Sequence, residues 1–170
     1  MRLLFFCLFA FSTWSTASTN DAFVTFYTDG SLVTYGVPGS KHGYFAGVVF
    51  DGQQSLGYLR RHRFMTLRFP AGEHVFSGSY SGKHPAENSQ LSLKLEEGKS
   101  YFIRAESESR GIYIVDSEKG RLEVVTCEAA HADLQKSTAV EEKHVPKDIR
   151  DRLVQDKSLP ECHEAIQSKN

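Results

Sequence analysis

Arg60-Arg61-His62-Arg63 is the densest cationic run in the chain. Guanidinium groups pair with carboxylates and phosphates in fixed, two-pronged geometry. Such a run could hold an anionic polymer, a phosphate head group or an acidic partner surface. It falls between two strand patterns, so we expect it to cap a hairpin. Most charge runs are solvent faces, so the more ordinary reading is a solvated turn that blunts edge pairing. Both readings stand on the sequence.

The seven histidines are His42, His62, His74, His84, His131, His144 and His163. No pair of them has the spacing of a zinc box or of a helical His-x-x-x-His site. His74 follows a turn glycine and alternates with Phe76, which predicts packing at a sheet margin. His42 and His84 fall in predicted loops that could meet at one end of a β-sandwich. No metal ligand set and no cofactor is expected.

Acid–base chemistry needs two groups held together in a cleft. Asp51, Glu73 and Glu96 lie in predicted turns, where they serve turn geometry and solubility. No serine sits in a Gly-x-Ser-x-Gly elbow. Tyr44, Tyr58, Tyr80 and Tyr101 could form a platform for sugars or peptides, or could pack as cross-strand pairs. Nothing here predicts an enzyme.

Three cysteines are present, of which Cys7 lies in the apolar N-terminal run. Cys127 and Cys162 remain as a candidate disulfide, with two unpaired thiols as the alternative. Closing that loop would be worth roughly 4 kcal/mol in the chain-entropy model. There is no Cys-x-x-Cys, so a thioredoxin-like role has no support.

The elements that must position these groups read as β-strands. Phe23–Tyr27 and Leu32–Val37 come first, ended by Asp29-Gly30 and Pro38-Gly39. From Tyr44 to Glu106 the chain is a ladder of apolar–polar alternation. Its strands are Tyr44–Asp51, Gln53–Leu59, Phe64–Phe69, His74–Tyr80, Leu91–Leu95 and Tyr101–Ala105. Asp51-Gly52 predicts a tight hairpin with positive φ at both central residues. Pro70-Ala71-Gly72 and Glu96-Glu97-Gly98 are further turns. Ile112–Val115 and Leu122–Thr126 close the set around a Ser117–Gly120 turn. That makes about nine strands, or ten with Leu32–Val37, at sandwich-like spacing, with no room for crossover helices.

After Cys127 the composition becomes charged and the alternation stops. Val145, Ile149 and Leu153 lie at helical spacing, with Pro146 suited to a first turn. Ser158-Leu159-Pro160-Glu161 has the form of a capping box, predicting a second short helix that carries Cys162. Such a tail either covers a sheet edge or contacts a partner.

The N-terminus predicts export. Met1-Arg2 precedes an apolar run from Leu3 to Phe11, followed by small polar residues to Ser18. That is the order of a secretory signal, with cleavage expected after Ala17. The run is much shorter than the ~20 apolar residues that span a bilayer. No transmembrane segment is expected in the mature chain. The formal net charge is −1, which speaks against nucleic acid as a partner.

Four motifs then carry a resemblance. Val48-Val49-Phe50-Asp51-Gly52, Leu56-Gly57-Tyr58-Leu59, Leu67-Arg68-Phe69-Pro70-Ala71-Gly72-Glu73-His74 and Leu95-Glu96-Glu97-Gly98-Lys99-Ser100-Tyr101-Phe102-Ile103-Arg104 follow one another. In this order they resemble the bacterial exported domains grouped as DUF 2846 and, more distantly, PEGA-type β modules. The resemblance covers about Phe23 to Thr126. One departure is Thr28 after Tyr27, where that family often has arginine. The resemblance implies a fold and a compartment, and carries no activity.

The expectation is an all-β antiparallel sandwich, immunoglobulin- or transthyretin-like, with a short helical tail. A signal peptide spans 1–17, the sandwich 18–127 and the charged tail 128–170. The expected function is a non-enzymatic module of the periplasm or medium that contacts an envelope protein or an anionic ligand. Arg60, Arg61, His62 and Arg63 are its candidate contacts. The alternatives are a small-ligand or metal-binding domain near His42 and His84 and, after it, a hydrolase.

Overall fold

The computed structural model describes residues 21–28, 47–79, 83–85, 90–110, 114–156, 158 and 162, and only the backbone of 106–110 and 114–120. The strands are β1 (Asp21–Tyr27), β2 (Gly47–Asp51), β3 (Gln54–Leu59), β4 (Arg63–Pro70), β5 (Gly72–Ser79), β6 (Gln90–Leu95), β7 (Ser100–Arg110), β8 (Ile114–Val125) and β9 (Thr138–Ala139). Helix α1 (Cys127–Leu134) and the 3₁₀ turns Glu142–His144 and Lys147–Arg152 complete the order. The chain is all-β with a short helical tail, as its alternation predicts.

Hydrogen bonding links the strands in the order β3-β2-β5-β8-β7-β1-β4-β9, with β6 beside β5. Two pairings are parallel, β1 with β7 and β4 with β9, and the rest are antiparallel. The sheet folds over itself, so that β2, β3, β5 and β6 face β1, β4 and β7. Three rings join the two layers. Phe26 of β1 lies 5.2 Å from Phe76 of β5 and 6.3 Å from Phe69 of β4, all edge-on. Edge-to-face packing suits the ring quadrupoles and adds to the burial of large apolar surface.

Alternation explains which side chains go where. Ala22, Val24 and Phe26 enter the main core, as do Met65, Leu67 and Phe69. The opposite face of β1 and β4 is buried as well. Tyr27, Phe64 and Phe102 pack there against Cys127, Ala130 and Leu134 of α1. Thr25 and Thr66 pair on the same face, with hydroxyls 2.9 Å apart. A strand covered on both faces needs this nearly continuous run of apolar residues.

Several expectations shift. The hairpin loop is Gly52-Gln53, since Asp51 pairs with Gln54. Gly52 alone takes positive φ there, at 55°. A turn of this kind needs the left-handed conformation only at its first central residue. Ser117–Gly120 is not a turn but part of β8, where Gly120 pairs with Ser107 of β7 and Gly78 of β5. The register against β7 shifts here, from Ser109 opposite Val115 to Ser107 opposite Gly120, so the polar stretch is taken up as a bulge within β8 instead of reversing the chain.

The tail also differs in detail. Helix α1 begins at once after β8, with the Thr126 hydroxyl accepting from Ala129 N–H at 3.3 Å. The stripe Val145, Ile149 and Leu153 forms 3₁₀ turns rather than an α-helix. Val145 is extended at φ −100° and ψ 131°, because it precedes Pro146, and that position disfavours the helical region. Val145 and Ile149 still enter the main core. The tail covers the edge of β4, through β9 and a bridge between Leu67 and Leu153. Among the described residues no helix is long and apolar enough to cross a membrane. The expected signal, the strand Leu32–Val37 and the helix after Ser158 lie outside the described residues.

Candidate functional site

Arg60–Arg63 does not cap a hairpin. Strand β3 pairs with β2, whereas β4 pairs with β1 and β9. The turn is therefore an arch from one layer to the other. Leu59 and Phe64 on either side are buried in different clusters. His62 reverses the chain with φ 53°, and Arg63 N–H donates to the Arg60 carbonyl at 3.1 Å. The Thr28 hydroxyl also donates to that carbonyl, at 2.8 Å.

The four side chains divide. Arg63 donates to the Thr138 hydroxyl and, at 3.3 Å, to the Ala139 carbonyl, so it fastens the tail. The backbone of His62 accepts from Thr138 N–H at 2.9 Å. Arg60 and Arg61 are exposed. The Arg60 guanidinium lies over the Tyr58 ring, 5.6 Å from its centre, within reach of a cation–π contact.

Tyr58 also lines a shallow depression of about 330 Å³. One wall is Ser55, Gly57 and Tyr58 of β3. The other is Lys143, His144, Lys147 and Arg150 of the tail, and among the described residues no carboxylate lines it. The tail wall is held from beneath by buried Val145 and Ile149. Arg150 Nε donates to the Val145 carbonyl at 3.1 Å, and Gln54 of β3 donates to Asp148 at 3.3 Å. Lys143 pairs with Glu141 outside the depression, and this hydrogen bond holds the Glu141 carboxyl below the usual carboxylate range.

A second cavity of about 600 Å³ runs beside β4 between β9 and residues 153–155. Phe64, Met65, Val140 and Leu153 give it an apolar wall, and Arg63, Glu141 and Glu142 a charged one. The buried Ser137 hydroxyl, which also lines it, has no hydrogen-bond partner among the described residues.

The cysteines form the disulfide Cys127–Cys162, with Cα atoms 5.6 Å apart. His131 lies beside it, and its ring stands edge-on to Phe102 at 6.1 Å. That neighbourhood is absent from a reading of histidine pairs alone. Its trace in the sequence is Cys127-x-x-x-His131, one helical turn. The basic wall has a similar trace, since Lys143, Lys147 and Arg150 recur at helical spacing.

The remaining candidates separate. His74 Nδ1 meets Asp51 Oδ2 at 2.8 Å and Nε2 meets the Pro70 carbonyl at 3.0 Å, so both ring nitrogens face acceptors. Glu73, Glu96 and His84 are exposed. Tyr101 is buried rather than part of a platform, its hydroxyl accepting from Glu96 N–H at 2.9 Å. Tyr44, Tyr80, His42 and His163 lie outside the described residues, and with them the expected meeting of His42 and His84. Comparison with protein-family models, curated proteins and solved structures finds no match for this chain.

Proposed function

We propose that this chain is an exported, non-enzymatic binding module of the cell envelope, in the periplasm or the medium, that contacts an acidic group on a partner or ligand. One observation carries the reading. Lys143, His144, Lys147 and Arg150 line one depression with Tyr58, and Arg60 lies over that same ring. Cationic side chains around a concave surface focus a positive potential and attract anions. The aromatic wall adds an apolar contact for whatever carries the charge.

The contact then involves Arg60 and exposed Arg61 from the basic arch, while Arg63 belongs to the scaffold. The test is retention on an anionic matrix along a salt gradient. A variant with Arg60→Ser, Lys143→Ser and Lys147→Ser should elute at clearly lower salt than the parent, with its thermal midpoint nearly unchanged. Equal elution of the two would remove the reading. A pull-down from envelope extracts with both forms would then identify the partner.

The cavity beside β4 favours a second reading, a small apolar ligand with one polar group. Phe64, Met65, Val140 and Leu153 give it an apolar wall beside a polar one, and its buried Ser137 hydroxyl lacks a partner among the described residues. A ligand bound only to the folded chain raises the unfolding midpoint. A panel of lipids and small amphiphiles that leaves the midpoint unmoved would eliminate it.

A further inference from the structure

The geometry points to a latent site for a soft divalent cation of the zinc type, formed by Cys127, His131 and Cys162 when their disulfide is reduced. The donor atoms of these three side chains all lie within 4.8 Å of one another. This site is separate from the basic depression and independent of its role.

The donor set suits zinc. Two thiolates and an imidazole are three of the ligands zinc takes in tetrahedral sites, with water able to fill the fourth position. Bond lengths of about 2.3 Å to sulfur and about 2.0 Å to nitrogen place such ligands roughly 3.5–4 Å apart. Opening the disulfide and drawing the ring nitrogen inward reaches that spacing with small movements. Cys127 and His131 are one turn apart on α1 and share a face. Phe102 packs against the imidazole and limits its orientation.

The two sulfurs differ. Cys127 is buried as the first residue of α1, where the backbone N–H groups favour a thiolate. Cys162 is exposed, open to a reductant and to an entering cation. A thiolate of a dithiol reductant attacks Sγ of Cys162, the Cys162–Cys127 bond breaks, and Cys127 leaves as the thiolate. The reductant's second thiol then displaces Cys162 and closes the reductant's own disulfide. Two electrons pass to the protein sulfurs. The cation enters without changing oxidation state, bound by two thiolates, and the two protons left by the reductant go to solvent.

The test uses the full chain, reduced with a phosphine that does not itself hold the metal and then titrated with Co²⁺ without oxygen. We expect thiolate-to-cobalt charge transfer and intense tetrahedral d–d bands, abolished by Zn²⁺. The oxidised chain should show neither. His131→Gln, with folding checked by circular dichroism of its oxidised form, should weaken Co²⁺ binding about tenfold or more. Absence of these bands in the reduced chain, or equal affinity in His131→Gln, would overturn the proposal and leave a purely structural disulfide.

Discussion

The His74 ring on β5 and the Asp51 carboxylate at the end of β2 meet at 2.8 Å, one residue before the Gly52-Gln53 turn. The contact is largely covered, with side-chain exposures of 13% and 19%. The His74 ring also stacks on Phe76 at 5.7 Å, so one residue joins the polar rim of the sheet to the core. The pair fixes how β2 lies against β5. Asp51→Ala removes the acceptor and should cost about 1–2 kcal/mol, read as a lower urea midpoint with unchanged slope. An unchanged midpoint would show that the pair contributes nothing net.

Gly57 couples the layers and the basic depression. It takes φ 146°, and a Cβ there would lie 2.9 Å from Met65 Sδ and 3.2 Å from the His144 carbonyl. Met65 can swing aside, but the His144 backbone must move. Gly57→Ala should cost about 1–3 kcal/mol from strain and crowding and should weaken anionic retention. Gly72 is the control, because it has φ 147° and nothing within 4 Å of its Cβ position. Gly72→Ala should destabilise less and leave retention unchanged. The reverse order in unfolding experiments would contradict this account of Gly57.

Most strands were legible because each buries alternate residues in one shared core. Val24 and Phe26, or Met65, Leu67 and Phe69, show this directly. Strand partners were not legible. The arches at Arg60–Arg63 and Pro70–Gly72 carry the same turn residues that hairpins use. What tells them apart is pairing: β3 pairs with β2, β4 with β1 and β9, and β5 with β2 and β6. Helix α1 was hidden because Thr126 reads as a strand residue as well as a cap. The site was legible in part. Arg60 marked the region, but Lys143 and Lys147 join it through a tail whose path depends on where Val145 and Ile149 bury.

Tyr101 should impose a limit at high pH. Burial pushes its phenol above the ordinary value of 10.0, partly offset by the hydrogen bond from Glu96 N–H. The folded state therefore holds the proton more tightly than the unfolded state. The resulting stability is fully present below the unfolded value and is lost as pH rises through the folded one. Stability should be flat with respect to this group below about pH 10 and fall above it. Tyr101→Phe should remove that component, while costing about 1 kcal/mol at neutral pH through the lost hydrogen bond. Denaturation midpoints against pH check both, and an identical alkaline slope in the variant would refute the assignment.

Arg63 and Arg60 should separate stability from binding. Arg63 holds Thr138 and Ala139 against β4, whereas Arg60 lies over Tyr58, which lines the depression. Arg63→Ser should lower stability by about 1 kcal/mol and barely alter the salt at which the chain elutes. Arg60→Ser should lower that salt with stability within about 0.5 kcal/mol of the parent. Urea melts and salt elution on the same two proteins decide it. If Arg63→Ser eluted earlier and Arg60→Ser did not, the anionic contact would lie at Arg63 and the account of Arg60 would fail.

Ile149 is the anchor on which the basic wall depends. Its side chain is fully buried in the main core, while Lys147 and Arg150, two and one positions away, line the depression. Ile149→Ala should cost about 2–4 kcal/mol, the usual range for truncating a buried isoleucine. Because the tail also covers the edge of β4 through Thr138–Ala139 and Leu153, loosening it should expose that edge. Unpaired edges recruit other strands. The variant should therefore lose anionic retention and gain concentration-dependent association, seen by light scattering below its unfolding midpoint. A destabilised variant that stayed monomeric and kept full retention would show that the tail's basic face is positioned by something other than Ile149.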